Sequence, residues 1–162
     1  MVEKNKRRAV SANVFLYRVA DGTIEYLLLK RVPRTEINLP GFWQCVSGAL
    51  EVGENFEMAA RREVFEETGF VLEDVIATGL TFIYPIKNEW RTLYGTDPSE
   101  VVEHVFVSKI QGLPILSDEH CAFEWLSYQK AYQRLTFGDY QSVIQSINQM
   151  LVTLDNTTAS TE

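Results

Sequence analysis

The sequence predicts an α/β or α+β sandwich, in which helices cover a sheet whose strands do not follow a regular βαβ order. Two observations support it: apolar runs rich in β-forming residues and stretches with helical spacing both occur, and they alternate irregularly. The chain has 162 residues, 46% hydrophobic and 23% charged, so residues 1–162 are expected to form one domain around one core. The polar ends, residues 1–6 and 155–162, are expected to be flexible.

Strands are predicted from apolar runs bounded by turn residues. The first two flank Asp21-Gly22, a strong hairpin signal, and should pair with each other. Residues 42–50 read as one short strand followed by a glycine-containing turn. The remaining segments are three strands, one long loop or arm and two closing helices: residues 72–84, 103–110 and 122–127; residues 85–99; and residues 127–135 and 142–154.

A helix is predicted between Asn55, a good N-cap, and Gly69, which suits the position after a helix end. Its last turns carry three glutamates close together, Glu63, Glu66 and Glu67, whose like charges repel at these spacings. At about 100° per residue, Glu67 falls inside the apolar arc of the helix. A carboxylate on a buried face needs a counter-charge, and a hard cation such as Mg²⁺ takes oxygen ligands of this kind.

Composition excludes some functions. The net charge of −7 argues against binding a nucleic-acid polymer through its backbone, which relies on clustered basic residues. No apolar run approaches the length of a membrane span. Cys45 and Cys121 lack metal-site spacing, so both are expected in the core of a cytoplasmic protein. His104 and His120 also lack such spacing, and structural roles are expected for them.

The segment GALEVGENFEMAARREVFEETGF, which begins at Gly48, resembles the Nudix box. Every specified position is filled: Gly48, Glu54, Arg62, Glu63, Val64, Glu66, Glu67, Gly69 and Phe70, the last being aromatic where the family more often has an aliphatic residue. The resemblance implies an α/β/α sandwich with a mixed β-sheet. It also implies a hydrolase that cleaves a nucleoside diphosphate linked to another group.

The same resemblance implies a metal site. The glutamates matching Glu63, Glu66 and Glu67 bind Mg²⁺ or Mn²⁺ in the family, helped by the backbone carbonyl at the Gly48 position. Such an ion neutralises phosphate oxygens and favours in-line attack by water at phosphorus. Arg62 is expected to orient the carboxylates, and Glu54 to secure the loop before the helix.

Beyond the box, roughly residues 7–150 resemble one branch of the family, the dihydroneopterin triphosphate and dATP pyrophosphohydrolases. The similarity lies in LLLKR, FWQCVSGALEVGE and DEHCAFEWL. It implies that Glu119 is a metal ligand or general base. It also implies that Arg7, Arg31 and Ser47 contact substrate. Arg31, at a strand end facing the box loop, is the best-placed phosphate clamp.

Further substrate contacts are less defined. Lys30 and Arg34 could assist Arg31, and Trp43 either stacks on a base or pterin or packs in the core. Pro85 lies near the position where ADP-ribose pyrophosphatases of the family carry a proline, and the arm of residues 85–99 departs from the branch. This arm is expected to shape the substrate pocket or a dimer contact.

The sequence therefore predicts a Mg²⁺-dependent pyrophosphohydrolase. Its expected substrate is dATP or another (deoxy)nucleoside triphosphate, or dihydroneopterin triphosphate, cleaved to the monophosphate and pyrophosphate. Glu63, Glu67 and Glu119 are the predicted catalytic residues. The alternatives are hydrolysis of ADP-ribose or a dinucleoside polyphosphate, and a non-catalytic nucleotide-binding module, which the intact box glutamates disfavour. The protein is expected to be a monomer or homodimer without a membrane partner.

Overall fold

A computed structural model describes residues 6–159, which contain seven strands and four α-helices. The strands are β1 Val10–Ala20, β2 Thr23–Arg31, β3 Phe42–Gln44, β4 Val46–Ala49, β5 Ile76–Pro85, β6 Glu100–Lys109 and β7 His120–Ser127. The helices are α1 Phe56–Thr68, α2 Arg91–Tyr94, α3 Tyr128–Arg134 and α4 Gly138–Ala159. The order of elements lacks regular βαβ alternation, as predicted.

The seven strands form one mixed sheet. Its main order is β3-β2-β1-β6-β5, with β4 paired to β1 and β7 paired to β2. β1 and β6 are parallel, while the other pairs are antiparallel. Because β1 pairs with β4 near its start and with β2 near its end, the sheet divides around β1. The predicted mixed sheet is confirmed.

The hairpin between β1 and β2 forms where the sequence predicts it. Asp21 and Gly22 both have positive φ, 50° and 77°, as a tight two-residue turn requires. The turn sets Ala20 opposite Thr23. This register fixes which side chains of β2 face each side of the sheet.

Alternating side chains of the central strands build two cores. Val14 and Leu16 of β1 pack with Val64 of α1, which defines the α1 face of the sheet. Phe15, between them, packs with Ile144 of α4 on the other side, which defines the α4 face. Helices therefore cover both faces, and the α/β/α sandwich is confirmed.

Helix α1 begins and ends as the sequence predicts. The side chain of Asn55 accepts a hydrogen bond from the Met58 N–H at 2.8 Å, which satisfies one free donor of the first turn. At the other end, Gly69 has φ 76° and donates its N–H to the carbonyl of Phe65, a left-handed cap that glycine adopts without strain.

The structure differs from the predictions in two places. Residues 42–50 form two short strands, because the chain leaves β2 at Cys45 and continues beside β1. Cys121 was predicted to be a core residue, which is wrong: it is exposed, whereas Cys45 is buried. The pairing of β2 and β7 shifts register between Lys30 and Arg31; Cys121 has no partner in that ladder and lies outside the core.

The 85–99 arm is ordered. After β5 it forms a short turn and α2, and its residues Ile86 and Tyr94 make a small third core with Val101. Of the predicted flexible ends, residues 1–5 and 160–162 lie outside the described residues, and α4 continues through Ala159. No helix within residues 6–159 has the length and apolarity to cross a membrane.

Strand β5 is the last strand on its side of the sheet, and it is irregular. Its register against β6 shifts between Ala77 and Thr81. Within this interruption the Thr78 hydroxyl donates to the Val105 carbonyl at 2.7 Å and accepts from the Leu80 N–H at 3.1 Å. The side chain thus replaces the missing ladder contacts.

Candidate active site

The three glutamates of α1 have different environments. Glu67 is 2% exposed, and neither of its carboxylate oxygens has a hydrogen-bond partner of normal geometry among the described residues. Glu66 lies on the outer side of the helix, with its side chain 54% exposed. The prediction that Glu67 faces inward is confirmed.

The buried carboxyl of Glu67 is electrostatically disfavoured when charged. Burial first, and then the charges of Glu63 and Glu119, raise its pKa well above the usual value. The backbone of Ser47 and the charge of Arg31 offset this only in part. A buried anion in this position is stabilised by a cation.

Gly48 provides room for Glu63. A Cβ on Gly48 would lie 1.9 Å from the Glu63 carboxyl carbon, far inside van der Waals contact, so any side chain here would displace the glutamate. Burial raises the pKa of Glu63, which the hydrogen bond from Arg62 partly opposes. The glycine of the box is therefore required by the position of this carboxylate.

Arg62 joins the box loop to the helix. Its guanidinium donates to both oxygens of Glu54, from Nε at 2.8 Å and from Nη2 at 2.9 Å. It also donates to the Ala49 carbonyl at 3.0 Å, to Glu63 at 2.7 Å and to Glu66 at 3.2 Å. Glu54 in turn accepts the Glu51 N–H at 2.7 Å. Arg62 is thus placed to orient the carboxylates, and Glu54 to hold the loop.

Glu119 reaches the same site from the loop before β7. Among the described residues, carboxylate oxygens of Glu67 and Glu119 and a ring nitrogen of His120 lie within 4.8 Å of one another. Arg31 Nη1 is 3.5 Å from the Glu119 carboxylate and donates to its backbone carbonyl at 3.2 Å. Burial lowers the pKa of Arg31. A basic side chain therefore borders the carboxylate cluster.

His120, for which the sequence analysis expected a structural role, lies in the same group of potential metal ligands. Its Nε2 lies 2.9 Å from the amide nitrogen of Gln44, and its buried Nδ1 has no hydrogen-bond partner among the described residues. Burial and the Arg31 charge lower the pKa of His120 to about 4, so the ring is neutral near pH 7. Its position next to Glu119 in sequence was the available signal.

A cavity of about 340 Å³ lies on the α4 face of the sheet, where Phe82 and Tyr140 line it, and the carboxylates of α1 do not line it. Ser47, Arg7 and Arg34 line it, and all three were predicted to contact substrate. Gln44 also lines it, and so connects it to His120. Arg7 is held by a hydrogen bond from its backbone N–H to the Leu93 carbonyl at 2.8 Å.

Two other predicted substrate residues, Trp43 and Lys30, do not line the cavity. Trp43 packs against the core of the α4 face, with the Arg134 guanidinium 4.9 Å from its ring centroid; this is the core alternative for Trp43. Lys30 pairs with Trp43 in the sheet and is exposed. Since neighbouring residues of a strand point to opposite faces, Lys30 points away from the face that carries Arg31.

A second buried carboxylate, Glu103 of β6, lines the cavity. It is 3% exposed. One oxygen accepts from the Asn13 amide at 2.7 Å and the other from the Tyr84 hydroxyl at 2.8 Å. Burial raises the pKa of Glu103, while these hydrogen bonds oppose the shift. The sequence analysis missed this residue, and its charge within an apolar strand was the available signal.

The remaining histidine, His104, has a packing role. Its ring stacks on Phe56 with centroids 3.8 Å apart and an angle of 19° between planes. The stack joins β6 to the first turn of α1.

Comparison with known proteins identifies relatives of this chain. Residues 7–145 match the NUDIX domain family. Dihydroneopterin triphosphate diphosphatase of Escherichia coli K12 is 35% identical over 134 residues, 78% of this chain and 83% of the relative. The asymmetrical bis(5'-nucleosyl)-tetraphosphatase of mouse is 30% identical over 135 residues, 83% and 85%. A solved structure of the E. coli dihydroneopterin triphosphate pyrophosphohydrolase superposes with a TM-score of 0.74 at 27% identity, covering 90% of this chain and 99% of that one.

Proposed function

Because the chain belongs to the Nudix hydrolase family, we propose that it is a Mg²⁺-dependent pyrophosphohydrolase. Its proposed substrate is a (deoxy)nucleoside triphosphate such as dATP, or dihydroneopterin triphosphate. The observation that carries the proposal is the buried carboxylate of Glu67, whose oxygens have no hydrogen-bond partner of normal geometry among the described residues and lie near a second carboxylate.

The donor set fits a hard divalent cation. Oxygen atoms of Glu67 and Glu119 lie close enough to share one ion, and Glu63 lies next to Glu67 with its position set by Gly48. Carboxylates and backbone carbonyls are the ligands that Mg²⁺ and Mn²⁺ prefer. When bound, the ion would neutralise phosphate oxygens and lower the pKa of water. Glu66, bound to Arg62, would support this set from outside.

The chain's own side chains can then carry the hydrolysis. The oxygen of a water molecule bonds to the α-phosphorus, the bond from that phosphorus to the bridging oxygen breaks, and pyrophosphate leaves. In this proposal Glu119 takes the proton of the water. Arg31, which lies beside Glu119, is proposed to bind the phosphate chain. Arg62 acts as a positioning residue because it holds Glu63 and Glu54.

The cavity and the relatives both bear on which heterocycle the substrate carries. Aromatic side chains such as Trp90 and Tyr140 line the cavity, which suits a flat ring. The E. coli relative acts on dihydroneopterin triphosphate, as its name states. The mouse relative favours a second candidate, a dinucleoside tetraphosphate. ADP-ribose is a third, since Pro85 lines the cavity.

A substrate panel tests this proposal. Purified protein is incubated with Mg²⁺ and dihydroneopterin triphosphate, dATP, dGTP, a dinucleoside tetraphosphate or ADP-ribose, and phosphate, pyrophosphate and the nucleotide and sugar phosphate products are measured separately. We expect pyrophosphate from a triphosphate, at a higher kcat/KM than for the other two classes. Higher turnover of the tetraphosphate or ADP-ribose would replace the proposed substrate, and nucleotide binding without any turnover would indicate a binding module.

We propose that the protein acts on small molecules in the cytoplasm. Cys45 and Cys121 form no disulfide, which is consistent with a reducing compartment. The proposed partners are the substrate and Mg²⁺, with a monomer or homodimer as the assembly.

A further inference from the structure

The cavity on the α4 face adjoins the site through Gln44, which contacts His120, and Ser47, whose backbone interacts with Glu67, and it also has acidic lining. Glu103 and Asp139 both line it, and Glu103 forms no ion pair among the described residues. Arg7 lines the same cavity, with its guanidinium 5.9 Å from the centroid of the Tyr94 ring, and its charge partly opposes the raised pKa of Glu103 without forming an ion pair with it in the described part of the chain. A ligand in this cavity therefore meets acceptors at Glu103.

Glu103 retains acceptor capacity after its internal hydrogen bonds. Each carboxylate oxygen can accept about two hydrogen bonds, and each receives one, from Asn13 or Tyr84. Because these two donors bind opposite oxygens, they also fix the orientation of the carboxylate. The group is therefore held in place with one free acceptor position on each oxygen.

A fixed carboxylate complements two parallel N–H donors. Guanine and pterin carry such a pair, a ring N–H beside an exocyclic amino group, on the edge of their shared 2-amino-4-oxopyrimidine ring. Adenine instead places a ring nitrogen lone pair beside its amino group, and this lone pair would face a carboxylate oxygen. We propose that Glu103 is a specificity residue that selects a 2-amino-4-oxo heterocycle, guanine or pterin, over adenine.

The proposal rests on the triphosphatase function given above and narrows its substrate class. Aromatic residues next to Glu103 support it: Phe82, opposite Glu103 in the sheet, and Tyr84 line the same cavity and stack with centroids 6.2 Å apart. A flat ring packed against these side chains would present its edge to the carboxylate. Discrimination by one bidentate contact corresponds to about 10- to 100-fold in kcat/KM.

Kinetics of Glu103→Gln test the proposal directly. Glutamine keeps the shape but offers one acceptor and one donor, which matches the edge of adenine. With Mg²⁺, wild type should prefer dGTP and dihydroneopterin triphosphate over dATP by at least about tenfold. In the variant, kcat/KM for these two substrates should fall by about 10- to 100-fold, while that for dATP stays equal or rises.

A matched control separates specificity from stability. Ser108 is buried on the same strand, outside the cavity, and its hydroxyl donates to the Asp74 carbonyl. Ser108→Ala should change the melting temperature without changing the ratio of dGTP to dATP turnover. If Glu103→Gln does not fold, Glu103→Asp, which withdraws the carboxylate by one carbon, should lower the same ratio by about tenfold.

Two results would overturn the proposal: equal or better wild-type turnover of dATP, or an equal loss for all three substrates in Glu103→Gln. Absence of any triphosphate turnover would instead contradict the proposed function. In that case calorimetric binding of α,β-methylene dGTP and dATP decides the specificity. A guanine preference that Glu103→Gln removes supports the assignment of Glu103, and equal affinities refute it.

Discussion

Glu67 and Glu103 are two buried carboxylates on opposite faces of one sheet, and they differ in their partners. Both are almost completely buried, 2% and 3% exposed, and burial raises the pKa of both. Glu103 receives a hydrogen bond on each oxygen, whereas Glu67 receives none of normal geometry among the described residues. A buried carboxylate with donors is satisfied within the fold. One without donors remains destabilising until a cation binds.

The largest expected effect is on turnover in Glu67→Gln. The variant should fold and lose about 10²- to 10⁴-fold in Mg²⁺-dependent kcat, because an amide cannot replace a charged ligand. Turnover of the substrate chosen from the panel measures this. Glu57→Gln is the control, since Glu57 lies on the same helix in an exposed ion pair with Arg61. Activity near that of wild type in Glu67→Gln would remove Glu67 from the proposed site.

Gly48→Ala tests whether the α1 face depends on close approach. The new methyl group would overlap the Glu63 carboxyl and should lower kcat by about 10- to 100-fold through displacement of that ligand. Gly22→Ala is the matched change in the β1-β2 turn, where the added Cβ meets no atom within 4 Å. It should cost about 1 kcal/mol of stability from its positive φ, with kcat unchanged. Similar activity of the two variants would contradict the packing argument.

Glu119→Gln should have a smaller effect that is confined to the rate. Its side chain is 57% exposed, so the melting temperature should change by less than about 2 °C. Loss of a ligand or proton acceptor should lower kcat by about tenfold or more. Unchanged kcat would make Glu119 an ordinary loop charge that contacts Arg31.

The smallest expected effect is on the melting temperature without metal, and it distinguishes Glu67 from Glu103. The folded-state pKa of Glu67 and of Glu63 is raised, so their contribution to the free energy of unfolding is fully present below about pH 4. It is lost as pH rises through the folded pKa values. With a chelator at pH 7, Glu67→Gln should therefore melt about 2–6 °C above wild type.

The same melting experiment compares the Mg²⁺ response of the Glu67 variant with that of the Glu103 variant. Added Mg²⁺ should raise the melting temperature of wild type and Glu103→Gln, but much less that of Glu67→Gln, because an ion bound only by the folded state stabilises it. An equal Mg²⁺ response of Glu67→Gln and wild type would contradict the assigned ligand.

The sequence predicts the α1 face well because its determinants are local. Asn55 and Gly69 fix the ends of the helix, and Gly48, Arg62 and Glu63 lie within one short segment. The 3.6-residue period alone turns Glu67 inward. Such features depend on spacing along the chain, so a single sequence contains them.

Features that depend on distant pairing were not predictable in the same way. Glu103 meets Asn13 across 90 residues of chain, and only the parallel pairing of β1 with β6 brings them together. His120 enters the site because β7 pairs with β2, with a register shift at that point. The division of residues 42–50 at Cys45 likewise follows from strands β1 and β2, which offer separate edges.

The irregular strand β5 has a consequence for behaviour at high concentration. A flat outer strand presents a row of unpaired backbone groups that a second molecule can extend. β5 carries exposed Ile76 and Ile83, a pattern that would favour such growth. The register shift between Ala77 and Thr81 divides the strand into two short pieces, which makes it a poor template for aggregation.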